Sequence, residues 1–205
     1  KDISLKTIGA IGHAGATYKA VEYQGDTIHN LIMDERMALS NMAVEMGAKV
    51  GMIAPDEKTV QYLRNAGVEK ALDMIESDAD AVYCASYSFN AAELEPMVAC
   101  PHAVDNVKPA SQLGETRIQQ VYIGSCTGGR LSDLKAAAEI LDGKKVHPDV
   151  RLLVSPASQT IYIQAMQQGY LKKLADAGAV VLAPTCGVCA GLHSGLIANG
   201  EACLA

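Results

Sequence analysis

Three cysteines of this chain stand where chemistry is possible. Cys126 lies in "YIGSCTGGRLSDL", between an alternating apolar run and a helical one, with Gly124 before it and Gly128 and Gly129 after it. A thiol kept only for packing belongs on a strand's apolar face, whereas one at a helix N-terminus has its thiolate favoured by the helix dipole. Cys186 and Cys189 form a C-x-x-C pair in "PTCGVCAGLHSG". Spacing alone leaves three chemistries open. A redox dithiol needs the pair to open a helix after a strand. A zinc ion could take the pair with Cys126 and His193 as a Cys3His set. An iron–sulfur cluster could take the three cysteines alone.

The surrounding elements decide whether these thiols can meet. Beyond a polar stretch, "HAVDNVKPASQLGE", the chain alternates between apolar runs and amphipathic segments. "IQQVYIGS", "VRLLVSP" and "AVVLAP" read as strands, and "LSDLKAAAEILDG", "SQTIYIQAMQQG" and "LKKLADAG" as helices. This rhythm predicts a parallel sheet flanked by helices, and such sheets gather ligand sites at the carboxyl ends of their strands. Cys126 follows one predicted strand and the C-x-x-C pair another, so the three thiols are expected at one sheet edge.

The first half reads similarly. "ISLKTIGAIG" is helical by periodicity, and "ATYKAVEYQG" alternates like a strand. Residues 34–47, "DERMALSNMAVEMG", predict a helix with an acidic start and Gly47 as its C-cap. "AKVGMIA" predicts a strand, and "PDEKTVQYLRNAG" a helix between Pro55 and Gly67. "DAVYCASYSF" and "LEPMVACP" predict two further strands, in which Cys84 and Cys100 would be small packing residues. With Pro109 and Gly114 marking a boundary, the expectation is an α/β chain of two subdomains, residues 1–110 and 111–205.

Bulk properties narrow the function classes. A net charge of -6 argues against a nucleic-acid groove binder. Asp, Glu, Lys or Gly interrupts every apolar run before it could span a membrane. Six cysteines in a long, helix-patterned chain point to reduced thiols and a cytoplasmic setting. The chain opens on Lys1 rather than Met and stops at "GEACLA", and is expected to be an internal segment of something longer.

"GSCTGGRLSDLKAAAEIL", "VSPASQ" and "TCGVCAGLHSG" resemble the cluster-binding segments of the aconitase superfamily, in its branch of 3-isopropylmalate dehydratase and homoaconitase large subunits. "GATYKAVEYQG", "MALSNMAVEMGAKVGMIAPDE" and "LEPMVACPHAVDNV" resemble it in the same order, so the likeness covers essentially the whole chain. The resemblance implies two three-layer αβα-type subdomains with mainly parallel sheets. It also implies a [4Fe–4S] cluster held by Cys126, Cys186 and Cys189, with the helix near Leu131 directing its N-terminus at it. Three thiolates leave one iron without a protein ligand, free to act as a Lewis acid.

By the same resemblance, the reaction is dehydration and rehydration of a small hydroxy diacid such as 2-isopropylmalate, in leucine biosynthesis. The proton-abstracting base then belongs to a small subunit or swivelling domain, so this chain alone is expected to show no turnover. A zinc-binding or redox module without hydro-lyase activity is the alternative. Gly128 stands where the family usually carries Asn, Thr185 where Gly is common, and Val188 where Pro is common.

Asn41 and Glu45 lie four apart in "SNMAVE" and share one face of the predicted helix. Pattern alone makes them a solvated polar stripe. By resemblance to the family's N-M-x-x-E, Asn41 hydrogen-bonds near the cluster and Glu45 faces the bound water or hydroxyl, which makes both candidate catalytic residues. Met42 and Met46 read as core, and Ser155 and Ser158, around Pro156, as helix caps.

Overall fold

In the computed structural model, which describes residues 1–205, the chain parts into two units, Lys1–Leu113 and Gly114–Ala205. The first begins with α1 (Asp2–Ile11), β1 (Ala20–Glu22), α2 (Asp26–Asn30) and α3 (Met33–Asn41). A 3-10 turn (Met42–Met46), β2 (Val50–Met52), α4 (Glu57–Asn65), β3 (Met97–Ala99) and β4 (Val107–Pro109) complete it. β1 and β2 pair in parallel, with Val21 opposite Gly51, and β3 and β4 form an antiparallel pair. Ile8, Leu39, Ala43 and Met46 are buried at the centre of its core, and Met42 packs at the core's edge, as the methionine reading expects.

Two features of this unit differ from expectation. The helix predicted over residues 34–47 tightens to 3-10 geometry at Met42 before ending at left-handed Gly47, φ 82°. β2 crosses so close that a Cβ on Gly51 would lie 2.8 Å from both Ala43 Cβ and the Ser40 carbonyl. Ala48 and Ala16 also draw the Ala43 and Met46 carbonyls to donors outside the helix, at 3.2 and 2.9 Å. Four residues of 3-10 helix turn about 120° past full circle instead of about 40°, so Asn41 and Glu45 do not share a face. Residues 80–89 form no strand; Val82 is 97% exposed and Cys84 is exposed rather than packed. Apolar alternation favours a strand only where a neighbouring backbone completes the ladder. Here the segment is instead tethered by the Tyr83 hydroxyl, which donates to Glu22 Oε2 at 2.6 Å. Cys100 follows β3 and is half-buried.

The second unit runs β5 (Gln120–Gly124), α5 (Ser125–Gly128), α6 (Leu131–Leu141), β6 (Arg151–Ser155), α7 (Gln159–Gln167), α8 (Tyr170–Asp176), β7 (Val180–Val181) and β8 (Cys203–Leu204). Its strands lie in the order β7-β6-β5-β8 and all pair in parallel, which makes the whole chain mixed α/β with mainly parallel sheets. Alternation gives this sheet two faces. Leu152 and Val154 pack with Leu134, Ala138, Ala165 and Leu174 of the three longer helices. The other face presents Gln120, Tyr122 and Leu153, and residues 182–202 cross it from β7 at one edge to β8 at the other. Gln120 Nε2 donates to the Gly195 carbonyl at 2.5 Å, and a Cβ on Gly195 would run into Leu153.

Arg36 is the first unit's buried charge, 4% exposed. Its guanidinium meets Asp56 at both nitrogens, 2.8 and 2.6 Å, while Nη2 and Nε also donate to the His29 and Leu31 carbonyls. Asp56 in turn caps α4 by accepting from the backbone of Lys58 and Thr59. The Arg36 hydrogen bonds hold the Asp56 carboxyl down at about 2, from an ordinary 3.8. Folded-state pKa below unfolded-state pKa means the pair stabilises fully above pH 3.8, and this stability is lost as pH falls through about 2. Asp56→Asn keeps a capping side chain but strands the buried guanidinium. It should lower the urea-unfolding free energy at neutral pH by about 3–5 kcal/mol and remove this part of the acid dependence.

Candidate functional site

Cys126 sits at a sharp strand-to-helix turn. β5 ends at Gly124, Ser125 takes a left-handed φ of 60° while buried, and Cys126 falls in the single turn of α5 with its thiol exposed. Beyond it Gly129 donates to the Ser125 carbonyl at 3.0 Å and accepts from Ala157 N–H at 2.8 Å. α6 starts only after this turn. At its start the Asp133 side chain accepts from the Arg130 N–H at 3.0 Å. Gly128 is buried in α5.

The C-x-x-C loop leaves the sheet beside it. Ser155, 0% exposed, donates its hydroxyl to the Ala183 carbonyl at 3.0 Å and accepts Thr185 N–H at 3.3 Å. Ser158, not Ser155, is the helix cap, accepting from Ile161 N–H at 3.2 Å. Thr185 Oγ1 accepts from Gly187 N–H at 3.1 Å and lies 3.2 Å from His193 Nε2. A Cβ on Gly187 would stand 2.4 Å from His193 Cε1, so the imidazole rests on the backbone between the two cysteines. Ala190 N–H donates to the Cys186 carbonyl at 2.8 Å, but no helix follows, as a thioredoxin-type dithiol would require. Cys186 and Cys189 are exposed, and none of the six cysteines forms a disulfide.

The two loops leave the sheet at neighbouring points, since Gly124 and Ser155 are paired at the ends of β5 and β6. Tyr122 projects from β5 on the face crossed by residues 182–202, and burial raises its phenolic pKa above 10.0, with Cys189, Cys186 and Cys126 each adding to the rise. No three His, Cys, Asp or Glu side chains lie close enough to clasp a single metal ion. Asn41 and Glu45 lie in the first unit, both exposed, at the end of α3 and in the 3-10 turn that follows. The sequence does not single out Tyr122, and it marks Ser155 only as a helix cap. The signal available was period-2 placement, since Gln120, Tyr122 and Gly124 share one face of β5, opposite the apolar one.

The aconitase family (aconitate hydratase) matches residues 1–115 and 103–205. The chain is 52% identical to the 3-isopropylmalate dehydratase large subunit of Sulfurihydrogenibium sp., over all of its own length and 47% of that protein's. It is 48% identical to the 3-isopropylmalate dehydratase large subunit 1 of Methanopyrus kandleri and 47% identical to the probable methanogen homoaconitase large subunit of Methanosarcina mazei. All of the chain is aligned in both cases, to 49% and 51% of those proteins. The chain therefore spans about half the length of the curated relatives it matches. It belongs to the aconitase family.

The turn at Gly129 leaves no space for a side chain, because a Cβ there would lie 2.4 Å from the Ser155 carbonyl oxygen. Gly129→Ala should therefore destabilise the second unit by about 1–3 kcal/mol in urea unfolding. Gly114→Ala, where a Cβ meets nothing within 4 Å, should stay within about 0.5 kcal/mol of the parent.

Proposed function

We propose that this chain is the cluster-holding part of an iron–sulfur hydro-lyase. In this reading Cys126, Cys186 and Cys189 hold a [4Fe–4S] cluster. The whole protein isomerises a small hydroxy diacid such as 2-isopropylmalate by dehydration and rehydration, in leucine biosynthesis in the cytoplasm. The observation that carries the reading is that the two loops bearing Cys126 and the Cys186–Cys189 pair, all three exposed, are both anchored at one buried residue, Ser155. The donor set fits: thiolates suit iron–sulfur clusters. A tetrahedral zinc would need its thiolates only ~3.8 Å apart, whereas a cluster's thiolates bond to different irons and form a wider ring.

When bound, the cluster supplies an iron without a fourth protein ligand, a Lewis acid toward the substrate hydroxyl. The chain's own residues do the rest of what it contributes. Ser155 and Thr185 hold the C-x-x-C loop to the end of β6, and the bare backbone at Gly129 brings the Cys126 turn against the same point. The Asn41 amide would offer a hydrogen bond near the cluster, and the Glu45 carboxylate would face the water or hydroxyl there. The base that removes the carbon-bound proton lies outside these residues. The relatives' names, each a large subunit, support a small subunit as the partner. No helix is long and apolar enough to cross a membrane.

Anaerobic reconstitution with iron and sulfide tests the reading. The chain should gain a broad visible absorbance that Cys126→Ser loses. Tight stoichiometric zinc binding with no such band would overturn it. The reconstituted chain alone should not isomerise 2-isopropylmalate; turnover without a partner would place the base within these residues.

A further inference from the structure

Tyr122 is a buried side chain whose chemistry the packing does not explain. It is 5% exposed, and its hydroxyl reaches forward along β5 to Gly124, where a Cβ would stand 2.9 Å from it. The hydroxyl has no hydrogen-bond partner. Ser155 lies near enough to favour the phenolate, but its own proton goes to the Ala183 carbonyl and no hydrogen bond to Tyr122 is completed. A position that needed only bulk would be better served by Phe, because an unpaired buried hydroxyl destabilises the fold. The oxygen lies at Gly124, two residues before Cys126, and Gly124 pairs with Ser155, which holds Thr185 next to Cys186, so the hydroxyl sits where both cysteine loops leave the sheet.

We propose that Tyr122 is a positioning residue whose O–H donates a hydrogen bond to sulfur of the group held by Cys126, Cys186 and Cys189. The inference rests on the cluster reading above. Burial keeps the phenol protonated, and so a donor, at neutral pH. A donor aimed at cluster sulfur stabilises the more negative, reduced state and so raises the reduction potential.

Tyr122→Phe in the 205-residue chain tests this, since it deletes one oxygen and keeps the ring. The metal-free variant should unfold at the same or a higher urea concentration than the parent, because an orphaned donor has gone. After anaerobic reconstitution with iron and sulfide, its midpoint potential should shift negative and its visible band should bleach faster under a chelator. An unchanged or positive-going potential in a variant that takes up the cluster overturns the inference and leaves the cluster reading standing. Failure of the parent chain to take up iron and sulfide overturns both. A metal-free Tyr122→Phe chain that is destabilised or unfolded shows the hydroxyl to be structural, and the inference falls.

Discussion

Ser155 ends β6 with no exposed surface, and each of its polar groups constrains a different loop. Its hydroxyl holds Ala183 and Thr185, so the C-x-x-C loop leaves the sheet from a fixed point. Its carbonyl lies 2.4 and 2.6 Å from where side chains on Gly129 and Gly124 would begin, so the Cys126 turn can approach only as bare backbone. Inside the protein these hydrogen bonds do not compete with water, and losing one would leave a buried group unpaired. The parallel ladder supplies the alignment, since Gly124 and Ser155 are partners at the ends of β5 and β6. Two cysteine loops remote in sequence thus share one reference residue, and Thr185 carries the constraint on to Gly187 and His193.

What the sequence made legible follows from how local each signal was. α4 lies where Asp56 caps it and Gly67 ends it, and α6, β5 and β6 lie where periodicity puts them. The thiols could be placed at a sheet edge because strand–helix alternation carries topology as well as secondary structure. Residues 80–89 were misread because a strand needs a backbone neighbour, which no local pattern reveals. The switch to 3-10 geometry at Met42 depends on the approach of Gly51, again a tertiary cause. α5, four residues long, and β8, two, are too short to leave a periodic trace.

The site was legible at two depths. The cysteines stand out by residue type and flanking glycines, whereas Asn41 and Glu45 were singled out only by their likeness to a family pattern. Ser155 read as a cap because Ser before a helix usually is one, yet Ser158 takes that part. Tyr122 read as part of an apolar strand because a phenol counts as hydrophobic in any pattern. Only its orphaned oxygen distinguishes it, and that is a property of packing.

Residues 182–202 cross the sheet from edge to edge, suspended between β7 and β8, each two residues long. Strands this short at sheet margins are where local opening is easiest, well below the free energy of unfolding the whole unit. Between them the crossing is pinned by Ser155, by Gln120 at Gly195 and by the Arg151–Glu201 pair at 2.7 Å. Cys186 and Cys189 ride on this span while Cys126 sits in α5, directly after the inner strand β5, so fraying of one margin would carry off two thiols together and leave the third in place. A group held by all three thiols, as proposed, would then come and go at the tempo of an edge strand, while the core behind it stays folded.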